Sequence, residues 1–261
     1  MHSTSYTLSE LCICAASEAW RGDGEVLATG IGLIPRLAAS LAKMTHSPEL
    51  MMTDGEAYLV SEPVPVGPRG SYKPKIEGSM NYSRVFLNIG IGLRHAMTGP
   101  VQIDKYGQTN ISFIGDDHKS PKVQLLGARG FPGNTINHTN SMFFPNHNTR
   151  CFVRGEVDMA SGVGYNPSKR TKGMNSKFIN LGLIISNLAV LDFNGPSNQI
   201  QVKSLHPGVD IQEVIENTGF ELLHDNFTST LSPTNEQLSI IRDFLDPHNL
   251  REQALPNRID K

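Results

Sequence analysis

The stretch that decides the fold is GDGEVLATGIGLIPRLAASLAKMTHSPELMMT, residues 22–53. A β-like run (25–30) leads through a glycine-rich turn into a helical pattern (30–46), and a continuous apolar run (48–53) follows. Proline is tolerated in the first turn of a helix, as at Pro35, and continuous apolar runs are typical of strands buried in parallel sheets. The stretch therefore predicts a βαβ unit, in which ligands bind beyond the C-terminal strand ends.

Composition narrows the class of protein. The chain has 261 residues, of which 38% are hydrophobic and 18% charged, and its formal net charge is −2. This length buries a sizeable core, and we expect a single α/β domain over residues 1–261, with two tightly fused subdomains as the alternative. Because the net charge is small, there is no electrostatic footprint for nucleic acid or anionic lipid, and neither is an expected partner.

Cysteine and histidine usage argues against a metal site. The three cysteines have no CxxC spacing and the nine histidines form no HExxH or HxH group, which are the spacings typical of zinc ligands. We therefore expect free thiols in a reducing compartment and no bound metal. The N-terminus has no basic region, and no apolar run is long enough to cross a membrane, so the sequence predicts a cytoplasmic protein without a membrane partner.

Two carboxylates directly follow the apolar run. Asp54 and Glu56 stand on either side of Gly55, where the strand is expected to end. A buried carboxylate at a strand end is able to act as a nucleophile or a general base. A Thr-Asp-Gly sequence is equally typical of a turn with an Asx hydrogen bond, so local chemistry leaves both interpretations open.

Two glycine-rich segments are further candidates. The turn TGIGLIP (29–35) suits an anion at a helix N-terminus, but it lacks the GxGxxG fingerprint and a tight structural turn explains it as well. In LLGARGFPGNTINH (125–138) we predict that a buried strand over 122–128 runs into a loop. Its bare N–H groups and guanidinium suit a phosphate, a carboxylate or a polarised carbonyl. The candidate residues are Gly127, Ala128, Arg129, Gly130, Gly133, Asn134, Asn137 and His138. A loop held by Asx turns, with Arg129 in a structural ion pair, is the alternative.

Five motifs in fixed order resemble the β subunits of the heteromeric class I CoA-transferase superfamily. They are GDGEVLATGIGLIPRLAASLAK, LMMTDGEA, VQIDKYGQTNIS, LLGARGFPGNTINH and LHPGV. GARGFPGNTINH with TDGEA is most similar to one branch, the β subunits of CoA hydrolases that open the last ring in bacterial steroid catabolism. The resemblance implies an open α/β fold with a mainly parallel sheet of the NagB/RpiA-like type. It also implies an α subunit that faces this chain across the active site, usually in an α₂β₂ assembly.

Two departures from the transferases bear on the reaction. In transferases a Ser-Glu-x-Gly motif ends this strand and its glutamate attacks the thioester, whereas Thr53 and Asp54 occupy those positions here. Asp54 is one methylene shorter, which counts against the covalent exchange pathway. Where transferases have Gly-x-Gly-Gly, this chain has residues 127–130, so the cation of Arg129 replaces a bare backbone position in or beside the acyl pocket.

The resemblance therefore implies a hydrolase. A glutamate of the α subunit activates water, the water attacks a ring ketone of a cyclic β-keto-acyl-CoA, and the C–C bond breaks in the retro-Claisen sense. Arg129 is implied to hold a substrate carboxylate or to polarise the ketone, and Asp54 and Glu56 to be orienting groups hydrogen-bonded to Arg129. Pocket-lining donors are then Asn134, Asn137 and His138. Coenzyme A is part of the substrate, and no cofactor is expected.

Two other hypotheses remain at this point. In the first, Asp54 is a working nucleophile and the chain is a CoA-transferase β subunit that moves CoA between carboxylic acids. In the second, the chain is a scaffold that only completes the pocket of its partner.

Overall fold

The computed structural model describes residues 5–55, 57–166, 168, 173 and 175–255 of the chain. The described residues form two compact units. The first takes residues within Met1–Thr98 and Leu231–Lys261, and the second takes residues within Gly99–Thr230. The assignment of residues 1–261 to a single domain stays a prediction.

The elements follow one another in this order. The first unit contains α1 (Leu8–Ser17), β1 (Leu27–Gly30), α2 (Leu33–Met44), β2 (Met52–Thr53), β3 (Tyr58–Val60), β4 (Ile76–Ser79), α3 (Tyr82–Gly90) and β5 (Arg94–Thr98). The second contains β6 (Gln102–Ile103), β7 (Thr109–Asn110), β8 (Phe113–Ile114), β9 (Val123–Gln124), α4 (Phe131–Asn137), β10 (Thr139–Phe144), β11 (Asn180–Ser186), β12 (Ala189–Asp192), β13 (Gln201–Leu205), α5 (Ile211–Glu216) and β14 (Thr228–Ser229). The chain then returns to the first unit with α6 (Asn235–Ser239), a π-helical segment (Ile240–Leu245) and α7 (Arg251–Ala254).

The predicted βαβ unit is confirmed. β1 leads into α2, and the chain comes back parallel to β1 through a bridge between Leu27 and Met51. The Ala28 N–H donates to the Met51 carbonyl over 2.9 Å, and the Met51 N–H donates to the Val26 carbonyl over 2.9 Å. On its other side β1 pairs in parallel with β5. The C-terminal ends of β1 and β2 therefore lie at the same edge, where parallel sheets bind ligands.

Parallel pairing also occurs in the second unit. β10 pairs in parallel with β11, and β13 with β14, whereas β12 is antiparallel to both of its neighbours, β11 and β13. The strands and the segment at Phe152 bury a core that includes Met142, Phe144, Phe152, Ile184 and Leu191. The predicted α/β class with a mainly parallel sheet is confirmed by these pairings.

A buried charge cluster ties the two ends of the chain together in the first unit. Thr7 and Glu10 form a capping box at the start of α1. The buried Glu10 carboxylate accepts from Arg251 over 2.9 Å and from Arg242 over 2.7 Å. Asp246 also accepts from Arg251, over 3.0 Å. Removing one partner of such a buried pair leaves an uncompensated charge, which costs roughly 3–5 kcal/mol. The last helices are thus held against α1.

The prediction of a buried strand over residues 122–128 is wrong. Only Val123 and Gln124 form a strand, β9, and both are exposed. They pair with β8 in a two-stranded antiparallel hairpin, and Leu126 is 75% exposed. An apolar run does not by itself establish burial, because a short hairpin can leave one apolar residue in solvent.

The part of the chain that the structure describes contains no helix that is long and apolar enough to span a membrane.

His147 is a buried histidine in the second unit. Its ring stacks on Phe152 with centroids 3.8 Å apart. Nδ1 lies 2.9 Å from the Ser186 hydroxyl, and Nε2 lies 3.0 Å from the Thr218 hydroxyl. The Thr218 hydroxyl donates to the Val214 carbonyl, so it accepts from Nε2. Burial lowers the pKa of His147 from 6.5 to about 3, so the ring is neutral in the folded protein.

We predict that His147 makes the protein less stable as pH falls. Because the folded pKa lies below the unfolded value, this contribution is present above pH 6.5 and is lost between pH 6.5 and about 3. Between pH 6.5 and 5 it amounts to about 2 kcal/mol. In His147→Gln, the unfolding free energy measured by denaturant titration should fall by that much less over this interval. His118→Gln, at an exposed histidine, should keep the wild-type pH dependence, and an equal slope in both variants would contradict the prediction.

Candidate active site

Asp54 lies at the end of β2 and is 3% exposed. Its N–H donates to the Tyr58 carbonyl over 3.0 Å, and its Oδ1 accepts from the Tyr58 N–H over 3.2 Å. Gly55 has a φ of +91°, and its N–H donates to the Thr53 hydroxyl over 3.3 Å. The segment is therefore a tight turn that holds a buried carboxylate at a strand end. A role of Asp54 in the reaction stays a prediction, and Glu56 lies outside the described residues.

The glycine-rich turn brings the end of β1 against α2. A side chain at Gly30 would place its Cβ 2.2 Å from the carbonyl carbon of Pro35, a distance that only glycine avoids. Gly32 is the N-cap of α2 and has a φ of +114°, which glycine adopts without strain. These two requirements explain the glycine spacing without a bound nucleotide.

A cleft of about 630 Å³ opens beside this turn. Its wall is formed by residues 30–33, Arg36, residues 65–67, Arg69 and Leu250. An ideal Cβ at Gly55 lies 3.8 Å from Arg36 Nη1, so the Asp54 turn is adjacent to the Arg36 guanidinium. Arg69 Nη2 donates to the backbone carbonyl of Asp54 over 3.0 Å. The strand end, the glycine turn and two arginines therefore form one group in the first unit.

Sequence reasoning missed both arginines. One signal was available, because Arg36 is the fourth residue of α2 and the first turn of that helix has no acidic residue. Cations are unfavourable at the positive end of the helix dipole, so a cation there is an anomaly that indicates another role. Arg69 gave no such signal, since it lies in a loop between β3 and β4.

The loop after β9 carries the second predicted group, in the second unit. The Gly127 N–H donates to the Ile111 carbonyl over 3.1 Å, and the Phe131 N–H donates to the Ala128 carbonyl over 2.9 Å. Arg129, between them, is exposed and has a φ of +50°. A left-handed conformation is uncommon for a residue other than glycine, and such strain is concentrated at functional sites. α4 then begins after its N-cap, Gly130.

The polar residues of α4 have different surroundings. The side-chain amide of Asn137 donates to the Gly133 carbonyl within the helix, over 3.0 Å. His138 is buried, and its Nδ1 lies 3.0 Å from the Thr139 carbonyl. Asn134 is buried too, and its Oδ1 accepts no hydrogen bond from the described residues. The structure thus brings residues 127–138 together in one loop and helix, while their predicted binding roles stay predictions.

Asn140 is a neighbour that sequence reasoning did not single out. Its side-chain amide donates to the Asn134 carbonyl over 3.1 Å and to the His138 carbonyl over 2.7 Å. It therefore fixes the turn between α4 and β10, and its buried Oδ1 accepts nothing from the part of the chain described here. A buried asparagine at the start of a strand, as in NHTNSMFF (137–144), is not separable by sequence from an exposed one.

Asp54 belongs to the first unit and Arg129 to the second. The hydrogen bond expected between them stays a prediction. Within the described ranges, no group of three or more His, Cys, Asp or Glu residues could hold a metal ion.

No protein-family model matches the chain. The cholesterol ring-cleaving hydrolase IpdB subunit of Rhodococcus jostii (strain RHA1) is 40% identical over 260 residues, and the match covers 97% of each chain. The chain belongs to the IpdB family. The crystal structure of Rhodococcus jostii RHA1 IpdAB superposes with a TM-score of 0.88 at 39% identity, covering 96% of this chain and 98% of that one.

A more distant relative connects the IpdB family to transferases. A 3-oxoadipate CoA-transferase subunit of Pseudomonas knackmussii is 28% identical over 255 residues, and the match covers 92% of this chain and 93% of the relative. The predicted resemblance to CoA-transferase β subunits, and to the ring-opening hydrolases among them, is confirmed, as is the CoA-transferase type of fold.

Proposed function

We propose that this IpdB family member is the β subunit of a heteromeric CoA-thioester hydrolase. Its substrate is a steroid-derived cyclic β-keto-acyl-CoA, whose last ring it opens during cholesterol or steroid degradation. The observation that carries the proposal is the 40% identity, over nearly the whole chain, to a cholesterol ring-cleaving hydrolase subunit.

The reaction is a hydrolytic retro-Claisen cleavage. Water, activated by a glutamate of the α subunit, adds its oxygen to the ring ketone carbon. The C–C bond to the carbon next to the thioester then breaks, and its electron pair forms a thioester enolate. A proton returns to that carbon, so a carboxylic acid and an intact thioester result. Donors that face the developing negative charge lower the barrier, because they stabilise the transition state more than the substrate.

Arg129 is our candidate for such a donor. Its guanidinium has several N–H groups in a fixed plane, which suits a carboxylate or a ketone oxygen. The left-handed backbone at this residue, with a φ of +50°, turns an exposed cation out of the loop between β9 and α4. Asn134, Asn137 and His138 are the further pocket donors in this proposal, with residues 127–130 and Gly133 as their backbone frame.

The remaining elements of the proposal concern partners and setting. The chain acts with an α subunit, in an α₂β₂ assembly, in the cytoplasm. Coenzyme A is part of the substrate and no separate cofactor takes part. The name IpdAB of the similar structure, which denotes two kinds of subunit, supports the heteromeric assembly.

An exposed apolar face of α3 supports the proposal that the chain binds an α subunit. None of the nine residues of α3 is buried, and its large side chains are exposed to an unusual degree. Tyr82 is 78% exposed and Phe86 63%, and Leu87 and Ile91 are also exposed. Contiguous apolar surface of this kind typically marks a protein interface. We assign this face to the α subunit.

We predict that the Arg129 guanidinium is required for ring opening. Arg129→Gly removes it and also relieves the left-handed backbone, so the fold should be retained or slightly stabilised. The kcat of the complex with its α subunit should fall about 100-fold to 1000-fold, the usual loss for a transition-state donor. The assay is release of the ring-opened acid from the cyclic acyl-CoA. Arg150→Gly, at an exposed arginine, is the control, and wild-type rates for Arg129→Gly would exclude the assigned role.

We predict that Asp54 forms no covalent intermediate. The complex is incubated with acyl-CoA and trapped with hydroxylamine or borohydride, and the peptide containing Asp54 is examined by mass spectrometry. Because the carboxylate is one methylene short and is hydrogen-bonded to the Tyr58 N–H, we expect no adduct. A modified Asp54 would favour the alternative, a transferase that moves CoA between carboxylic acids.

We predict that a charge on the α3 face prevents assembly. Phe86→Glu places a carboxylate where the partner would bury a ring, and burying an unpaired charge is costly. Co-expression with a tagged α subunit should recover about tenfold less of the variant than of the wild type. Leu231→Glu, at a residue outside α3 that is 87% exposed, should co-purify normally. Equal recovery of both variants would place the interface elsewhere.

A further inference from the structure

The cleft of the first unit concentrates positive charge. Two guanidinium groups, those of Arg36 and Arg69, are part of its wall, and no acidic residue is among the described residues that line it. Arg36 Nη2 donates to the Val64 carbonyl over 3.3 Å, and Arg69 Nη2 donates to the Asp54 carbonyl over 3.0 Å. Each bond employs one of the five N–H donors of a guanidinium. Both side chains are thus oriented by neutral backbone groups, which do not cancel their charge.

The two cations also repel each other. Burial lowers the pKa of Arg36 most, and the charge of Arg69 lowers it further, while Asp54 opposes the shift. Two positive groups face one carboxylate in this arrangement. Among the described residues neither arginine forms an ion pair of the kind that joins Arg251 to Asp246. Keeping two like charges close beside a single carboxylate is unfavourable, so the surplus positive charge indicates a ligand of opposite sign.

The helix beside the cleft adds to this field. α2 has twelve residues and points its N-terminus, the positive end of its dipole, towards the turn at Gly32. Its first turn contains no acidic residue that would neutralise that end. The two guanidinium groups define the site, and the helix strengthens their attraction for an anion.

The size of the cleft indicates what carries the anion. A volume of about 630 Å³ lies in the range of pockets that hold small organic molecules, and it is far larger than a phosphate ion needs. The side chains of Ile31, Leu33, Val66 and Leu250 give it apolar wall as well. A suitable ligand is therefore an organic molecule with an apolar part and an anionic oxygen group.

We propose that Arg36 and Arg69 bind an anionic oxygen group of the acyl-CoA substrate, either a phosphate of coenzyme A or the carboxylate of the acyl group. This inference rests on the proposed function, whose acyl-CoA has the phosphates of coenzyme A throughout and a free carboxylate once the ring is open. Bidentate contacts from guanidinium suit either oxyanion. Because the Asp54 turn is adjacent to Arg36, the bound anion fixes the substrate relative to the strand end. Arg36 and Arg69 are thus substrate-binding residues of this subunit, separate from the assigned donor Arg129.

Binding experiments without turnover test the inference. The chain, co-purified with its α subunit, is titrated calorimetrically with four probes. These are CoA, 3′-dephospho-CoA, a carboxyalkyl thioether of CoA and the methyl ester of that thioether. The variants are Arg36→Met and Arg69→Met, with Arg154→Met at an exposed arginine of the second unit as the control. Arg69 is exposed, so its variant keeps the test valid if Arg36→Met does not fold.

We expect the Kd of the recognised ligand to rise about 10-fold to 100-fold in each variant, as for the loss of a charge-assisted hydrogen bond. If the anion is a phosphate, both variants bind CoA more weakly. The preference for CoA over 3′-dephospho-CoA is lost when the arginines bind the 3′-phosphate and is kept when they bind the diphosphate. If the anion is the carboxylate, both variants bind the thioether more weakly but bind its methyl ester as the wild type does. Wild-type affinity of both variants for all four probes overturns the inference, as does failure of the wild type to bind any probe. A wild-type complex that binds CoA but opens no ring contradicts the proposed function alone.

Discussion

The close approach of β1 to α2 is the constraint on which the first unit depends. Gly30 lies so near the first turn of α2 that any side chain would collide with the backbone of Pro35 and Arg36. The contact sets the angle at which the helix leaves the strand, and parallel pairing with Met51 then aligns the next strand end. Arg36 lies in the first turn of α2 and the Asp54 turn follows the aligned strand, so this strand–helix contact makes the two neighbours.

Asp54 and Arg129, the two predicted site residues at strand and loop ends, are held in different ways. Asp54 is buried at a strand end, and its carboxylate and its backbone N–H are both hydrogen-bonded to Tyr58 within its turn. A group held in this way is well placed to orient a neighbour. By contrast, Arg129 stands exposed on a loop whose flanking residues are fixed by backbone hydrogen bonds on both sides. A rigid frame around an exposed cation is the arrangement expected where a ligand must be met in a defined geometry.

Much of the architecture could be predicted because local rules and burial agree there. The βαβ unit follows from glycine spacing and two apolar runs, and the capping boxes at Thr7 and Thr234 follow from side chains three residues apart. The strand predicted over 122–128 failed for the opposite reason. Its apolar residues suggested burial, but the chain forms a two-residue hairpin strand there, and Leu126 remains in solvent. Short elements depend on tertiary contacts that periodicity does not encode.

The candidate site residues also divide into those that the sequence could reveal and those that it could not. Asp54 and the loop around Arg129 could be found from motif order, because each stands at a fixed distance from a recognisable turn. Arg69 could not, since no periodic pattern relates a residue in the loop between β3 and β4 to the turn at Gly30. Only the folded chain brings its guanidinium to the Asp54 carbonyl.

The resemblance to transferases places Asp54 where a nucleophilic glutamate is expected, so the surroundings of Asp54 bear on its role. Shortening the side chain draws the carboxylate back towards the backbone, where Oδ1 accepts the Tyr58 N–H and closes the turn. A carboxylate whose oxygen accepts a hydrogen bond within its own turn is a weaker nucleophile, and the position of that carboxylate is fixed. Arg36 and Arg69 both lie close to Asp54. When no substrate anion occupies the cleft, a negative group is needed there to limit the repulsion between the two arginines. Asp54 offsets part of that repulsion from a buried position, while the positive charge of the cleft itself comes from Arg36 and Arg69.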